Sequence, residues 1–324
     1  MSRRYTFRKN GSIFILALWA LCLLSIFAAG LGSKVSQEIN LSTYFQNKPR
    51  ARYLAEAAIK RSQIILEGDK NTFDALNEIW STGRSTDEGR SIFSDIKLGD
   101  GTYNVRIVDE ERKININTAS HDILERLFMI TGGLDTDAAH IAANSIIDWR
   151  DPDIIPLEGG AEDGYYKSLE RPYKCKNGRF EVLEELLLTR GVTDEAFSKI
   201  RDSVTVYGEG RVNINTATWN SLCALGMSGG LADKIILYRK GRDEIEGTKD
   251  DNILKNSPSI AKELIFGAGL NMEEADRISE IVTRGLLSVD SKNFSVIAEG
   301  KIGRRTERIV CVTDRGKNIE YWRE

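Results

Sequence analysis

The feature that most constrains this chain is an uncharged run from Ser12 to Gly32, which opens Ser12-Ile13-Phe14-Ile15-Leu16-Ala17-Leu18-Trp19 directly after Lys9, Asn10 and Gly11. At a rise of about 1.5 Å per residue, about twenty such residues span a hydrocarbon core of roughly 30 Å as one helix. Arg3, Arg4, Arg8 and Lys9 precede the run with no acidic residue. That bias places the N-terminus in the cytoplasm and the bulk of the chain on the far side of the membrane. Whatever follows must fold as a body held to a membrane helix.

Three readings of the segment stay open on hydropathy. A secretory signal peptide has a shorter apolar region and a small-residue cleavage site, for which Ala28-Ala29-Gly30 is the available match. A plain anchor needs only the apolar run. The third reading rests on Gly11, which sits between the basic leader and the apolar run. This resembles a prepilin leader, where a dedicated peptidase cuts on the cytoplasmic side after a glycine and leaves the apolar helix on the mature protein. The resemblance makes Ser12 an N-methylated mature start. It also makes Leu16 the fifth mature residue, a position held by Glu in most pilin-like proteins.

Beyond the anchor, 324 residues suffice for two or three modest units. The net charge of −3 conceals an asymmetry: without the four basic residues of the first 32, the rest holds 41 basic against 48 acidic side chains, net −7. A mildly acidic exported body argues against a general binder of nucleic acid or anionic membrane. Cys175, Cys223 and Cys311 follow Cys22 without a close CxxC pair, which removes support for a zinc site of that type. A Cys175–Cys223 disulfide and three buried reduced thiols remain alternatives.

Helical periodicity continues from the apolar run past Pro49 to about Glu67, with a bend expected near the proline. Ser91 to Lys97, Thr102 to Asp109 and Lys113 to Asn117 alternate like strands of a meander. About 170 residues of short amphipathic helices follow, from Ala119 to Thr283. Strand-like alternation returns at Phe294 to Gly300, Arg305 to Thr313 and Glu320 to Arg323. A sheet interrupted and then completed implies an insertion, with the last strands pairing with the early ones. The expected fold class is α+β: a pilin-like long N-terminal helix packed on an antiparallel sheet, with a large all-α insertion domain. The expected division is leader 1–11, transmembrane and amphipathic helix 12–67, pilin-like domain 68–118 with 286–324, and helical insertion 119–285.

Inside the helical block, Ile114-Asn115-Ile116-Asn117-Thr118-Ala119 recurs as Val212-Asn213-Ile214-Asn215-Thr216-Ala217. Each copy leads into a helix, a glycine pair and a second helix. The Asn and Thr side chains are suited to capping the helix that follows. This resembles the helix-hairpin-helix module, whose DNA-binding members present hairpin amides to a phosphate. Asp122, Glu125, Asp135 and Asp137 crowd the first copy and oppose that use; Lys234, Arg239, Lys240 and Arg242 favour it at the second. Structural use is the stronger reading. A membrane-anchored DNA receptor of the competence type is the alternative, and no nucleic acid is expected. His121 and His140 read as capping or helix-surface residues, and no convergent catalytic set supports an enzyme.

Between the copies, Asp148, Asp151, Asp153, Glu158, Glu162 and Asp163 lie on a glycine-bearing stretch rich in hard oxygen donors, without EF-hand spacing. A solvated loop held by turn chemistry is the alternative. The basic leader ending in Gly11, Leu16 in place of Glu, the two Asn-x-Asn-Thr-Ala copies, Asp148-Trp149, Gly159-Gly160-Ala161-Glu162-Asp163-x-Tyr165-Tyr166, Glu184 to Leu186 and Arg190-Gly191-Val192 occur together and in this order. Their order resembles the general secretion pathway protein K family, the large minor pseudopilins of bacterial type II secretion systems.

That resemblance implies a non-enzymatic subunit at the tip of a periplasmic pseudopilus, engaged in protein export across the outer membrane. It implies as partners the minor pseudopilins I and J, the major pseudopilin G filament below, and the prepilin peptidase for processing. It implies a single-pass inner-membrane protein before assembly, and calcium bound within the helical domain, with the six carboxylates above as the ligand pool. In a stacked helix bundle, a Glu at the fifth position neutralises a neighbour's α-amino group, and an unpaired charge there costs several kcal/mol. Leu16 suits a subunit with nothing stacked above it.

Overall fold

The computed structural model describes residues 10–84, 93–315 and 318–323. Leader residues 1–9 lie outside that range, as do the side chains of residues 10–12. The expected processing pair Gly11 and Ser12 is therefore described only as backbone at the start of a helix.

That helix, α1 (Asn10–Gly68), runs 59 residues and continues through Pro49. Its two halves differ in cover. From Ile13 to Phe45 the large apolar side chains stand exposed, Leu16 by 73% and Trp19 by 64%. From Ala51 onward one face is buried, through Leu54, Ala55, Ala58, Ile59 and Leu66 at helical spacing. Small residues on that face let the helix approach a sheet closely. A Cβ on Gly300 would lie 1.9 Å from the Ala51 carbonyl oxygen, so the strand under the helix needs glycine there.

After α1 come the short helix α2 (Ile79–Thr82) and strands β1 (Ile96–Leu98) and β2 (Gly101–Asp109). The expected strand from Ser91 begins outside the described residues. The chain then enters the helical block: β3 (Ile114–Asn115), α3 (His121–Leu127) running into a π turn over Phe128–Gly132, α4 (Thr136–Arg150), α5 (Asp163–Lys167), a 3-10 turn at Leu183–Leu188, α6 (Asp194–Ile200), β4 (Val204–Thr205) and β5 (Val212–Asn213). It continues through α7 (Trp219–Ala224), α8 (Gly229–Arg239), α9 (Ile260–Gly267), α10 (Met272–Thr283) and β6 (Leu287–Ser288). Strands β7 (Asn293–Ile302), β8 (Arg305–Asp314) and β9 (Ile319–Arg323) complete the chain.

The main sheet is antiparallel in the order β1-β2-β7-β8-β9. The central pair, β2 and β7, closes the interruption, with Asp109 opposite Phe294. Alternation sends Tyr103, Val105, Ile107, Phe294, Val296, Ala298, Ile309 and Cys311 into one core with α1, Trp80 and Phe93. A second, larger core fills the helical block. It reaches beyond the expected 119–285 limits at both ends, taking in Ile114, Ile116, Leu287 and Val289.

Two expectations need correction. Lys113 to Asn117 is not the third strand of a meander: β3 leaves the sheet and pairs in parallel with β4, Ile114 opposite Val204. The insertion is also not all-α, because β5 pairs in parallel with β6, Val212 opposite Leu287. The alternating pattern was real, but each two-residue strand finds its partner some ninety or seventy residues later, and sequence periodicity carries no information on that pairing.

Candidate metal centre

The site is positioned by the first repeat, whose architecture the second repeats almost atom for atom. The Asn115 Oδ1 accepts from Asn117 N at 2.8 Å, and Asn213 Oδ1 accepts from Asn215 N at 3.0 Å. Asn117 donates to Phe180 O at 3.0 Å and accepts from Phe180 N at 2.8 Å; Asn215 does the same with Leu254, at 2.8 and 3.0 Å. The asparagines thus staple remote backbone, rather than capping the next helix as expected. In the second copy the cap is Thr218, which accepts from Ser221 N at 3.1 Å. An arginine from the second helix of each copy closes the clamp. Arg150 donates to the carbonyls of Ile116 and Ala119, and Arg239 to those of Ile214 and Ala217, both at 2.8 Å.

These bonds weaken the basic case for DNA at the second copy. Arg239 is buried and also bonds Glu246 at 2.6 Å, so its guanidinium is spent inside the fold. At the first copy Asp135 caps α4, accepting from Ala138 N at 2.9 Å, and sets a carboxylate where a phosphate would approach.

Arg150 also fixes the end of α4, from which the acidic stretch departs. Asp148 is buried there and accepts from Leu157 N at 3.1 Å. A Cβ on Gly160 would fall 2.0 Å from Asp148 Oδ2, so this glycine lets the loop close over the carboxylate. Arg190 holds Gly160 in place by donating to its carbonyl at 3.1 Å, and lies 4.8 Å over the Tyr165 ring. Beneath them Trp149, Tyr166, Tyr173 and Phe180 form an aromatic floor. The Tyr173 hydroxyl donates to Leu188 O at 2.7 Å.

The loop brings one ligand atom each from Asp151, Asp153 and Glu162 within 4.8 Å of one another. Asp151 Oδ1 and both Glu162 carboxylate oxygens are buried without a hydrogen bond of normal geometry. The Cys175 thiol beside Glu162 offers only a weak donor. Burial foremost, and then the charges of Asp151 and Asp153, push Asp148 above the usual carboxylate range. Burial and Asp153 do so for Asp151, and burial with Asp148 and Asp151 for Glu162. Converging carboxylates with unpartnered, partly dehydrated oxygens fit a hard divalent cation, whose charge would supply what the protein withholds.

Of the six residues named from sequence, the structure brings together Asp151, Asp153 and Glu162, with Asp148 in electrostatic reach. Two leave the pool. Asp163 is held by Lys167 and by Cys175 N at 2.9 Å, which lowers its pKa. Glu158 is exposed, and its backbone carbonyl takes the Asn144 amide at 2.8 Å. Cys175, Cys223 and Cys311 are buried free thiols, so the Cys175–Cys223 pairing is not formed. Burial pushes them to about 12, 11 and 11, which suppresses thiolate chemistry.

A long N-terminal helix, apolar and bare over its first half and sunk into an antiparallel sheet over its second, defines a pilin-like protein. The family model for type II secretion system protein K matches residues 101–209. The chain is 26% identical to the type II secretion system protein K of Pseudomonas aeruginosa, over 96% of this chain and 90% of the relative. It is also 26% identical to that of Pectobacterium carotovorum subsp. carotovorum, over 92% of this chain and 98% of the relative. A chain of the solved GspK-GspI-GspJ complex from the enterotoxigenic Escherichia coli type 2 secretion system shares the fold, with a TM-score of 0.60 at 16% identity, covering 90% of this chain and 98% of that one. Residues 101–209 thus carry a type II secretion system protein K domain, and the chain over nearly its whole length is similar to proteins of that name.

Proposed function

We propose that this minor pseudopilin caps the pseudopilus tip, joined to minor pseudopilins I and J and standing above the filament of major pseudopilin G. The observation that carries the reading is the asymmetry of α1: a bare half, uncharged from Ser12 to Gly32 and able there to lie in a membrane or a helix bundle, and a covered half that holds the exported body. Prepilin peptidase cuts after Gly11, leaving Ser12 as the methylated start of a helix that first crosses the inner membrane, N-terminus in the cytoplasm. Leu16, with no carboxylate to neutralise a subunit above, suits the terminal position. The wide helical insertion, built on two helix-hairpin-helix-like pairs, obstructs further stacking. The protein assembles and does not catalyse.

Asp151, Asp153 and Glu162, supported by Asp148, hold a structural calcium ion on this reading. Its charge replaces the missing hydrogen-bond partners of Glu162 and locks the 151–162 loop onto the aromatic floor. Mass spectrometry of the mature protein tests the processing half of the proposal. The expected N-terminus is methylated Ser12; an intact leader, or a start at Leu31 after a signal-peptidase cut, contradicts it.

A further inference from the structure

The turn between α3 and α4 places a second group of ligating side chains outside the acidic pocket. His121 and Glu125 share one face of α3 at i and i+4, and His140 meets them from α4. Their ligand atoms lie within 4.8 Å of one another. His121 Nε2 is 3.1 Å from His140 Nδ1, and His140 Nδ1 is 3.5 Å from Glu125 Oε1. Around a tetrahedral zinc ion with bonds of about 2.0–2.1 Å, neighbouring ligand atoms sit about 3.3 Å apart. The observed separations straddle that value.

We propose that His121, Glu125 and His140 form a site for a borderline transition-metal ion of the zinc type, with solvent completing the fourth position. Two imidazoles and a carboxylate form a donor set for zinc rather than for calcium, which prefers oxygen alone. All three side chains are half-buried: enclosed enough to be pre-positioned, open enough for an ion to enter. Asn144 anchors the arrangement from behind. Its amide contacts His140 Nε2 at 3.0 Å and donates to Glu158 O at 2.8 Å, tying the imidazole to the end of the acidic loop. On the other flank, Asp122 Oδ1 lies 3.5 Å from His121 Nδ1 and orients that ring. With zinc bound, His140 presents the lone pair of Nδ1 and carries its proton on Nε2, so the Asn144 amide gives up the ring and keeps its bond to Glu158 O. The site would tie α3 to α4 above the first repeat; the second repeat has no equivalent cluster among the described residues.

The test is calorimetric titration of the full chain in detergent with Zn²⁺, in saturating calcium so that the acidic pocket is filled. One equivalent of zinc is expected to bind. His140→Ala and Glu125→Gln should each weaken it at least about tenfold. Absence of saturable zinc binding, or binding unaltered in the His121→Ala/His140→Ala double variant, overturns the proposal. Where the variants melt lower than the parent, cobalt substitution of the unaltered chain decides. Intense visible absorption of tetrahedral Co²⁺ supports the site, and a weak octahedral spectrum refutes it.

Discussion

The two repeats share a clamp and differ in what surrounds it. In both, paired asparagines staple distant backbone and an arginine from the second helix seals two carbonyls. The second copy is sunk between the two cores. Asn213 bonds Asp74 O, Asp109 Oδ2 and Ser291 Oγ, and Thr216 donates to Asp109 Oδ2 at 2.5 Å. Asp74 in turn pairs with Arg315 at 2.5 Å. The asparagines of the first copy bond the backbone of Tyr207, Gly208, Phe180 and Val206 instead, and its outward loops carry the acidic pocket and the histidine pair. One copy has become a joint between the pilin-like body and the helical block. The other carries on its loops the carboxylates and imidazoles proposed as metal ligands.

The largest expected effect sharpens that contrast. Arg239→Ala leaves the carbonyls of buried Ile214 and Ala217 without their partner and should cost about 3–5 kcal/mol, while Arg150→Ala, at a half-buried site, costs about 2 kcal/mol. Denaturant unfolding of the two variants checks the order, and equal costs would break the comparison. Calcium removal comes next. At a hundredfold excess over Kd the ion should stabilise the full chain by about 2.7 kcal/mol, a gain abolished in Asp151→Asn. Protease should then cut the 151–162 loop before the second repeat.

A third effect follows from the carboxylates of the joint. Burial holds Asp74 at about 7 against Arg315's pull, and burial with the Asp109 charge holds Glu111 at about 8. Asp109, fully enclosed, is pushed up as well. The folded protein therefore keeps protons that the unfolded chain releases near the ordinary carboxylate value of about 4. Their contribution to stability is full below that value and is lost as pH rises through about 7 to 8. The melting temperature should fall over this window, with a shallower slope in Glu111→Gln. In the acidic pocket the raised carboxyls act the other way on ligation: protons compete with calcium, so affinity should climb as pH rises above the ordinary carboxylate range. The smallest effect separates the caps. Thr218→Ala should cost about 1 kcal/mol, while Ser120→Ala, whose hydroxyl is buried without a partner, should be neutral.

The elements that sequence made legible are those with a period. The unbroken helix through Pro49, the helices of the block and the long strands β7 and β8 all follow alternation or 3.6-residue spacing, and the repeat announced itself by near identity. What stayed hidden depends on partners far along the chain. Ile114 meets Val204, and Arg239 serves Ile214 from inside the core; on an amphipathic helix such an arginine resembles a phosphate contact. The acidic pocket was visible as a pool but not as a set. Lys167, four residues after Asp163, was the available sign that this carboxylate is already paired. His121 and Glu125 at i and i+4 were in view, but only the fold brings His140 to them.

As proposed above, this chain works as the terminal subunit of a heteromeric assembly. The most direct measurement is co-purification of the full chain with minor pseudopilins I and J in calcium, followed by native mass determination. A complex holding a single copy of this chain together with I and J is expected. Recovery of this chain alone, or of an open-ended series of its own copies, would contradict it.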